Sequence, residues 1–313
     1  MKKRYIYVFM FFFLYILMVP ETALASAREG LLLWYTSVLP SLFPFMLICS
    51  IVLRFGILDH VMQKIHHPFH FLSSCSPYGA FAIMTGFLCG FPMGAKITSD
   101  LFDQKKISRH EADWLMGFVN NLSPGFIISY LACDQMNLPE LKYLFPANIL
   151  GASFLYGILT GLFRRHNTDI LPSLNFYSSE VSGKNLLSEV DESINDTMQN
   201  LLRLGAYIMI FCIIGDALQI ILPFNNIISL LLCSTIEITN GIRLIASSDL
   251  SFPAKYFIIN GLSSFGGFCA LTQSAGIARM NSDTLFKYIK SRVCITLLSM
   301  FLCGITILFS LFL

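Results

Sequence analysis

Apolar residues fill most of this chain in long blocks, and the informative positions are those where a block is damaged. Residues 5–19, 41–55, 143–163, 204–222 and 293–313 are plain apolar runs. About 20 such residues cross the hydrocarbon core of a bilayer as a helix, so these runs predict membrane-crossing or membrane-anchoring helices. Four further apolar runs carry helix breakers and polar side chains together: 77–99, 111–133, 227–244 and 256–278. Lipid cannot satisfy the backbone groups that a break sets free, so such segments belong inside protein or against a water-filled cavity.

The first damaged run contains Gly90-Phe91-Pro92-Met93-Gly94 and then Lys96. Residues 78–90 make only about 20 Å of helix at 1.5 Å per residue, short of the roughly 30 Å core. The expectation is a re-entrant hairpin that enters and leaves on one side, followed by a basic loop with Lys105, Lys106 and Arg109. Ser108 and Glu111 fit a capping box for the next helix. That helix, 111–133, carries Asn120, Asn121, Ser123 and Pro124. In the second half, 227–244 holds Glu237, Asn240, Gly241 and Arg243 and reads as a second hairpin. Residues 256–278 read as one crossing that includes Asn260, Gly266, Gly267 and Gln273.

The N-terminal run follows Lys2, Lys3 and Arg4 and reads as an uncleaved signal anchor, 1–22; Ala23-Leu24-Ala25 and Ala25-Ser26-Ala27 are the cleavage sites of the signal-peptide alternative. Residues 23–39 are expected to form an interfacial helix ending at Pro40, with a span over 41–55. The one long polar stretch divides the chain into a first repeat over 23–163, a cytoplasmic linker over 164–185 and a second repeat over 186–313. An amphipathic helix at 189–203 precedes the span 204–222, which carries Asp216. Lys and Arg favour the cytoplasmic side. On that rule the first hairpin is cytoplasmic and the second external, which is an inverted repeat. Gly94-Ala95-Lys96 echoes Gly241-Ile242-Arg243, and Asn120-Asn121-Leu122-Ser123 echoes Asn260-Gly261-Leu262-Ser263.

Composition agrees: of 313 residues 55% are hydrophobic and 13% charged, against about 25% charged in soluble domains. A formal net charge of +2 gives no footprint for nucleic acid. Nine cysteines are scattered without metal spacing and read as small packing residues. His66, His67 and His70 cluster before Cys75 and read as a solvated loop rather than a metal site. No phosphate-binding loop, nucleophile elbow or zincin motif is present, so the chain is read as a non-enzyme without cofactor or metal.

The polar residues in apolar runs are the candidate site. Asn120, Asn121, Ser123, Asn240 and Gln273 are candidate substrate contacts, with interhelical hydrogen bonding as the other use of membrane Asn. Lys96 and Arg243, near the hairpin tips, make a cationic pocket for an acidic substrate if they share a cavity; otherwise they snorkel to the interface. Glu237, with Asp216 beside it in rank, is the candidate for coupling to a proton or cation, because a carboxylate at membrane depth is costly. Gly90, Pro92, Gly94, Gly266 and Gly267 are expected to act through the backbone.

The stretches Gly90-Phe91-Pro92-Met93-Gly94-Ala95-Lys96, Ser108-Arg109-His110-Glu111-Ala112 and Phe118-Val119-Asn120-Asn121-Leu122-Ser123-Pro124-Gly125-Phe126 resemble the YlbJ sporulation integral membrane protein family. Gly30-Leu31, Trp34, Leu39-Pro40-Ser41-Leu42-Phe43-Pro44-Phe45, Glu237-Ile238-Thr239-Asn240-Gly241 and Phe265-Gly266-Gly267 fit it too. The resemblance implies a nucleoside-recognition or Gate domain fold, similar to concentrative nucleoside transporters, with 23–163 and 186–313 as Gate-like repeats. It further implies a role in endospore formation, moving dipicolinic acid across the outer forespore membrane from the mother-cell side. The expectation is therefore an all-α polytopic membrane protein, an inverted repeat with two re-entrant helical hairpins, transporting a small organic anion by alternating access. A nucleoside permease and a non-transporting membrane scaffold of the spore envelope are the alternatives, and oligomeric state is left open.

Overall fold

The computed structural model describes residues 2–55, 75–164, 186–221 and 227–312. The His66, His67 and His70 cluster and residues 165–185 of the expected linker lie outside these. Among the described residues every regular element is helical. Among the described residues four helices are long and apolar enough to cross a bilayer: Pro20–Val52, Pro139–Phe163, Leu187–Ile220 and Ser282–Leu308. The chain is a helical polytopic membrane protein, as its hydropathy predicts.

Helix α1 (Lys2–Met18) leads into α2 (Pro20–Leu33), a π turn (Trp34–Val38) and α3 (Leu39–Arg54). The last three form one continuous rod, so the expected interfacial helix ending at Pro40 is replaced by a single span. The π turn explains why Pro40 does not stop it. Leu39 N–H reaches back to the Trp34 carbonyl, shifting the hydrogen-bond ladder so that the missing proline N–H falls at the seam.

Two short helices then form the first hairpin: α4 (Pro77–Cys89) and α5 (Met93–Asp103), joined by Gly90-Phe91-Pro92. Ser76 caps α4, accepting from Gly79 N–H, and Pro77 takes the first helical position, where no N–H is needed. Next come α6 (Arg109–Phe118), a non-helical stretch at Asn120–Ser123, and α7 (Pro124–Phe126), which runs on as a π-helical segment, Ile127–Gln135. Helix α8 (Leu144–Arg164) closes the first half.

The second half repeats this order. Helix α9 (Leu186–Ile221) is a single rod of 36 residues, about 54 Å long. It absorbs the amphipathic helix and the separate span expected at 189–203 and 204–222. No breaker stronger than Gly205 lies between them, and one helical glycine costs only about 1 kcal/mol. The second hairpin is α10 (Ile227–Ser234) and α11 (Ile238–Ala246), joined through Thr235-Ile236-Glu237. Then follow α12 (Phe252–Phe265), a break at Gly266, α13 (Gly267–Ile277) and α14 (Ser282–Phe312). The runs 111–133 and 256–278 are thus not single helices. Each is cut in two, and each cut is where a hairpin tip docks.

The two long rods, α2–α3 and α9, lie side by side, pinned where Trp34 Nε1 donates to the Leu201 carbonyl at 2.9 Å. One buried cluster, including Met46, Ile97, Leu101 and Leu115, joins α3, the first hairpin and α6. Another, including Ile127, Phe145, Ile242 and Ile259, joins the π segment, α8, the second hairpin and α12.

Candidate functional site

Each hairpin tip is fitted to a helix break by backbone proximity. Gly90 has φ 78°, a conformation open to glycine, and a Cβ there would lie 2.6 Å from Ser123 N. A Cβ on Gly94 would meet the Val119 carbonyl at 2.4 Å. Pro92 caps α5 beside them, after a cis Phe91–Pro92 peptide. On the other side, Phe268 and Cys269 N–H groups at the start of α13 donate to the Thr235 and Ile236 carbonyls of the second tip, at 2.8 and 3.0 Å. Gly266 and Gly267 have φ of 90° and 78°, and this double left-handed turn aims α13 at that tip. All five glycines and prolines singled out from the sequence therefore lie in the breaks or directly against them.

The first break is held by its two asparagines. The Asn120 side chain accepts from Ala95 N–H at 3.3 Å and donates to Tyr288 Oη at 2.9 Å and to Ser274 Oγ. Asn121 Nδ2 donates to the Phe118 carbonyl at 2.8 Å, taking up a freed end of α6. Both are buried and all of these partners are internal. Ser123 caps α7, its hydroxyl accepting from Phe126 N–H at 3.2 Å. The Ser108 cap is found as expected, accepting from Glu111 N–H. The Glu111 carboxylate accepts from Ser76 N–H at 2.7 Å, tying α6 to the start of the hairpin.

Between the two tips and the two breaks lies a cavity of about 60 Å³. Its polar wall is Ser41, Ser123, Glu237, Thr239 and Gln273; Phe91, Leu122, Phe126, Ile208 and Ile238 supply much of the rest. Glu237 is 4% exposed. It caps α11, with Oε2 accepting from Asn240 N–H at 2.7 Å and Oε1 from Thr239 Oγ1 at 3.0 Å. Gln273 Nε2 donates to Cys269 Sγ at 3.1 Å, while its buried Oε1 has no protein partner.

Of the residues singled out from the sequence, then, Ser123, Glu237 and Gln273 meet at one cavity. Lys96 and Arg243 do not, and of the two readings open for them the shared cationic pocket is not formed in this structure. Lys96 pairs with Asp100 at 2.7 Å and lines a separate polar recess with Ser50, Arg54 and Asp196. Arg243 pairs with Glu29 and forms no part of the cavity wall; its other terminal nitrogen donates to Asn240 Oδ1 at 2.7 Å. Each basic residue lies one turn or more beyond its tip, on a helix face where a carboxylate, Asp100 or Glu29, takes its charge. Asp216 is half-buried beside the same ion pair, accepting from Ser26 Oγ. Asn260, the expected echo of Asn120, sits within α12 and donates to the Tyr256 carbonyl, so the echo does not follow the breaks.

Among the described residues the buried cation is Arg292, which the positive-inside rule would place on the cytoplasmic side. It is fully buried inside α14. Nη1 donates to the Asn120 carbonyl at 2.7 Å and to Asn121 Oδ1 at 3.2 Å; Nη2 donates to the Ser264 carbonyl. Its guanidinium carbon lies 5.5 Å from the centre of the Phe91 ring, which lines the cavity. A helical stripe of non-aliphatic residues, Tyr288, Arg292, Thr296 and Ser299, was the available signal. Among the described residues no group of three or more His, Cys, Asp or Glu side chains is placed to hold a metal.

Fold and site together describe a polytopic helical membrane protein in which two broken hairpins and two broken helices converge on one small interior cavity. In sequence the chain is similar to the sporulation integral membrane protein YlbJ of Bacillus subtilis strain 168, with 26% identity over 304 residues covering 86% of this chain and 73% of that protein. The YlbJ-like resemblance carried by the GFPMGAK and NNLSP stretches is borne out across most of the chain. No family model matches the chain. No solved structure matches it.

Proposed function

We propose that this chain is a transporter of a small organic molecule acting in sporulation, and that dipicolinic acid crossing the outer forespore membrane is its substrate. The observation that carries the transport reading is the convergence of both hairpin tips and both helix breaks on the cavity of Ser123, Glu237 and Gln273. Broken helices around a midplane site are the general construction of secondary transporters. The repeated order of long helix, hairpin, broken helix and long helix supports an inverted repeat of two Gate-like units, with the hairpins re-entrant. Lys105, Lys106 and Arg109 at the open end of the first hairpin favour a cytoplasmic placement for that end. The name of the B. subtilis relative supports the sporulation setting.

A cavity of about 60 Å³ is well below the roughly 300–1,000 Å³ of a small-molecule site. On the alternating-access reading the cavity therefore enlarges, by withdrawal of a tip, before substrate is held. Glu237 is the proposed site of proton or cation coupling, with Asp216 near the Glu29–Arg243 pair as a second station. One observation favours a nucleoside as the substrate instead. The cavity wall offers a carboxylate, an amide and hydroxyls, and no unpaired cation. Proteoliposomes holding the purified protein separate these readings. Dipicolinate uptake is expected; uptake of nucleosides alone selects the permease, and uptake of neither selects a membrane scaffold.

A further inference from the structure

We infer that the guanidinium of Arg292 is a built-in counter-cation for the two helix breaks, occupying the place an inorganic coupling ion would otherwise fill, so that substrate movement requires no metal cation there. The inference rests on the transport reading and deepens it, leaving Glu237 as the group through which a driving ion acts.

The acceptors around Arg292 identify its task. The Asn120 carbonyl lies just past the end of α6, the Ser264 carbonyl lies in the last turn of α12, and Asn121 Oδ1 lies beside the first of them. None is a carboxylate, and among the described residues no ion pair involves Arg292. The C-terminus of a helix carries about half a negative charge. Two such ends meeting at one point ask for about one positive charge, which is what a guanidinium supplies. Unwound carbonyls and half-helix C-termini are also the ligands that broken-helix transporters offer to alkali cations. Here the same oxygen set is occupied by a side chain, and the Phe91 ring lies against the guanidinium. Because its acceptors come from both halves, Arg292 is a positioning residue that holds the two breaks in one geometry. A tethered cation cannot leave with the substrate, so it contributes no ion to the transport stoichiometry.

The test uses the full chain, purified into lipid nanodiscs, as wild type, Arg292→Met and Arg292→Lys. Arg292→Met takes the donor from the Asn120 and Ser264 carbonyls and Asn121 Oδ1; buried acceptors left unsatisfied cost about 1–3 kcal/mol each, so the variant should melt about 5–10 °C lower. Sodium or guanidinium chloride at sub-denaturing concentration should restore at least half of that loss, choline chloride none of it, and the wild type should ignore all three. A Met variant as stable as wild type, or a loss that no small cation restores beyond choline, overturns the inference. Should the Met variant not survive extraction, Arg292→Lys decides. Recovery with a near wild-type melting temperature supports a charge held in place, and equal failure overturns it. Absence of any uptake sinks the transport reading alone, and the melting temperatures still decide the counter-cation.

Discussion

Phe91, at the tip of the first hairpin, lies directly over Gly266, at the break of the second half. A Cβ built on Gly266 would come within 2.6 Å of the Phe91 ring. The two halves of the chain therefore touch through a residue with no side chain and a residue that fills the vacated space. Gly266 is also in the left-handed region at φ 90°. Gly266→Ala should destabilise by about 2–4 kcal/mol, combining roughly 1 kcal/mol of backbone cost with 1–3 kcal/mol of overpacking. Gly266→Ala with Phe91→Leu should recover the overpacking part only. Melting temperatures of the four proteins in a double-mutant cycle check this; strict additivity would mean the two residues do not share the space.

Asn121→Ala removes the donor that takes up the Phe118 carbonyl and one acceptor of Arg292. Ser153 Oγ still donates to that carbonyl at 2.8 Å and Arg292 keeps the Asn120 and Ser264 carbonyls, so the loss is of hydrogen bonds worth about 0.5–3 kcal/mol each, and this variant should lose a few degrees of melting temperature before any transport measurement is made. The companion prediction is that dipicolinate affinity, measured on the protein that remains folded, changes little. A variant with wild-type stability and lost substrate binding would return Asn121 to the cavity wall.

Much of this architecture was readable in advance, and the parts that were not share a physical cause. The Gly90-Phe91-Pro92 break was legible because glycine and proline disrupt a helix through their own backbone chemistry. The Ser108 cap was legible for the same local reason. The cut at Asn120–Ser123 was not placed, because Pro124 is as compatible with a helix start as with a mid-span kink, and only the docked hairpin decides between them. Arg292 was missed because a basic residue at the end of an apolar run normally marks the cytoplasmic border. The continuation of α14 back to Ser282 puts it deep instead. Closeness in sequence to the tips left Lys96 and Arg243 open between a shared pocket and the interface, and only the folded chain shows the carboxylate, Asp100 or Glu29, that each one meets.

Lys96→Ala and Arg243→Ala should therefore be mild. The side chains of the Lys96–Asp100 pair are 29% and 40% exposed, and those of Arg243–Glu29 are 43% and 45% exposed. Exposed pairs contribute about 0–1 kcal/mol. Each substitution should change the dissociation constant for substrate by less than about fivefold. A larger loss measured by equilibrium binding would place a basic side chain at the substrate in another conformation of the cycle.

Glu237 has two jobs that one substitution can confuse. As the cap of α11 it accepts from Asn240 N–H and Thr239 Oγ1, and as a cavity residue it is the carboxylate available to carry a proton. Glu237→Gln keeps the volume and one acceptor oxygen but removes the charge, at a cost of about 1–2 kcal/mol from one impaired hydrogen bond and a weaker interaction with the helix dipole. Thr239→Val removes one of the two hydrogen bonds and leaves the charge in place. If Glu237 carries the coupling proton, Glu237→Gln should lose uptake driven by a proton gradient while exchange of labelled for unlabelled substrate continues. Thr239→Val, with a similar drop in melting temperature, should retain both. Gradient-driven uptake that survives Glu237→Gln would leave this carboxylate as a helix cap alone, and the half-buried Asp216 would then be the carboxylate to test for coupling.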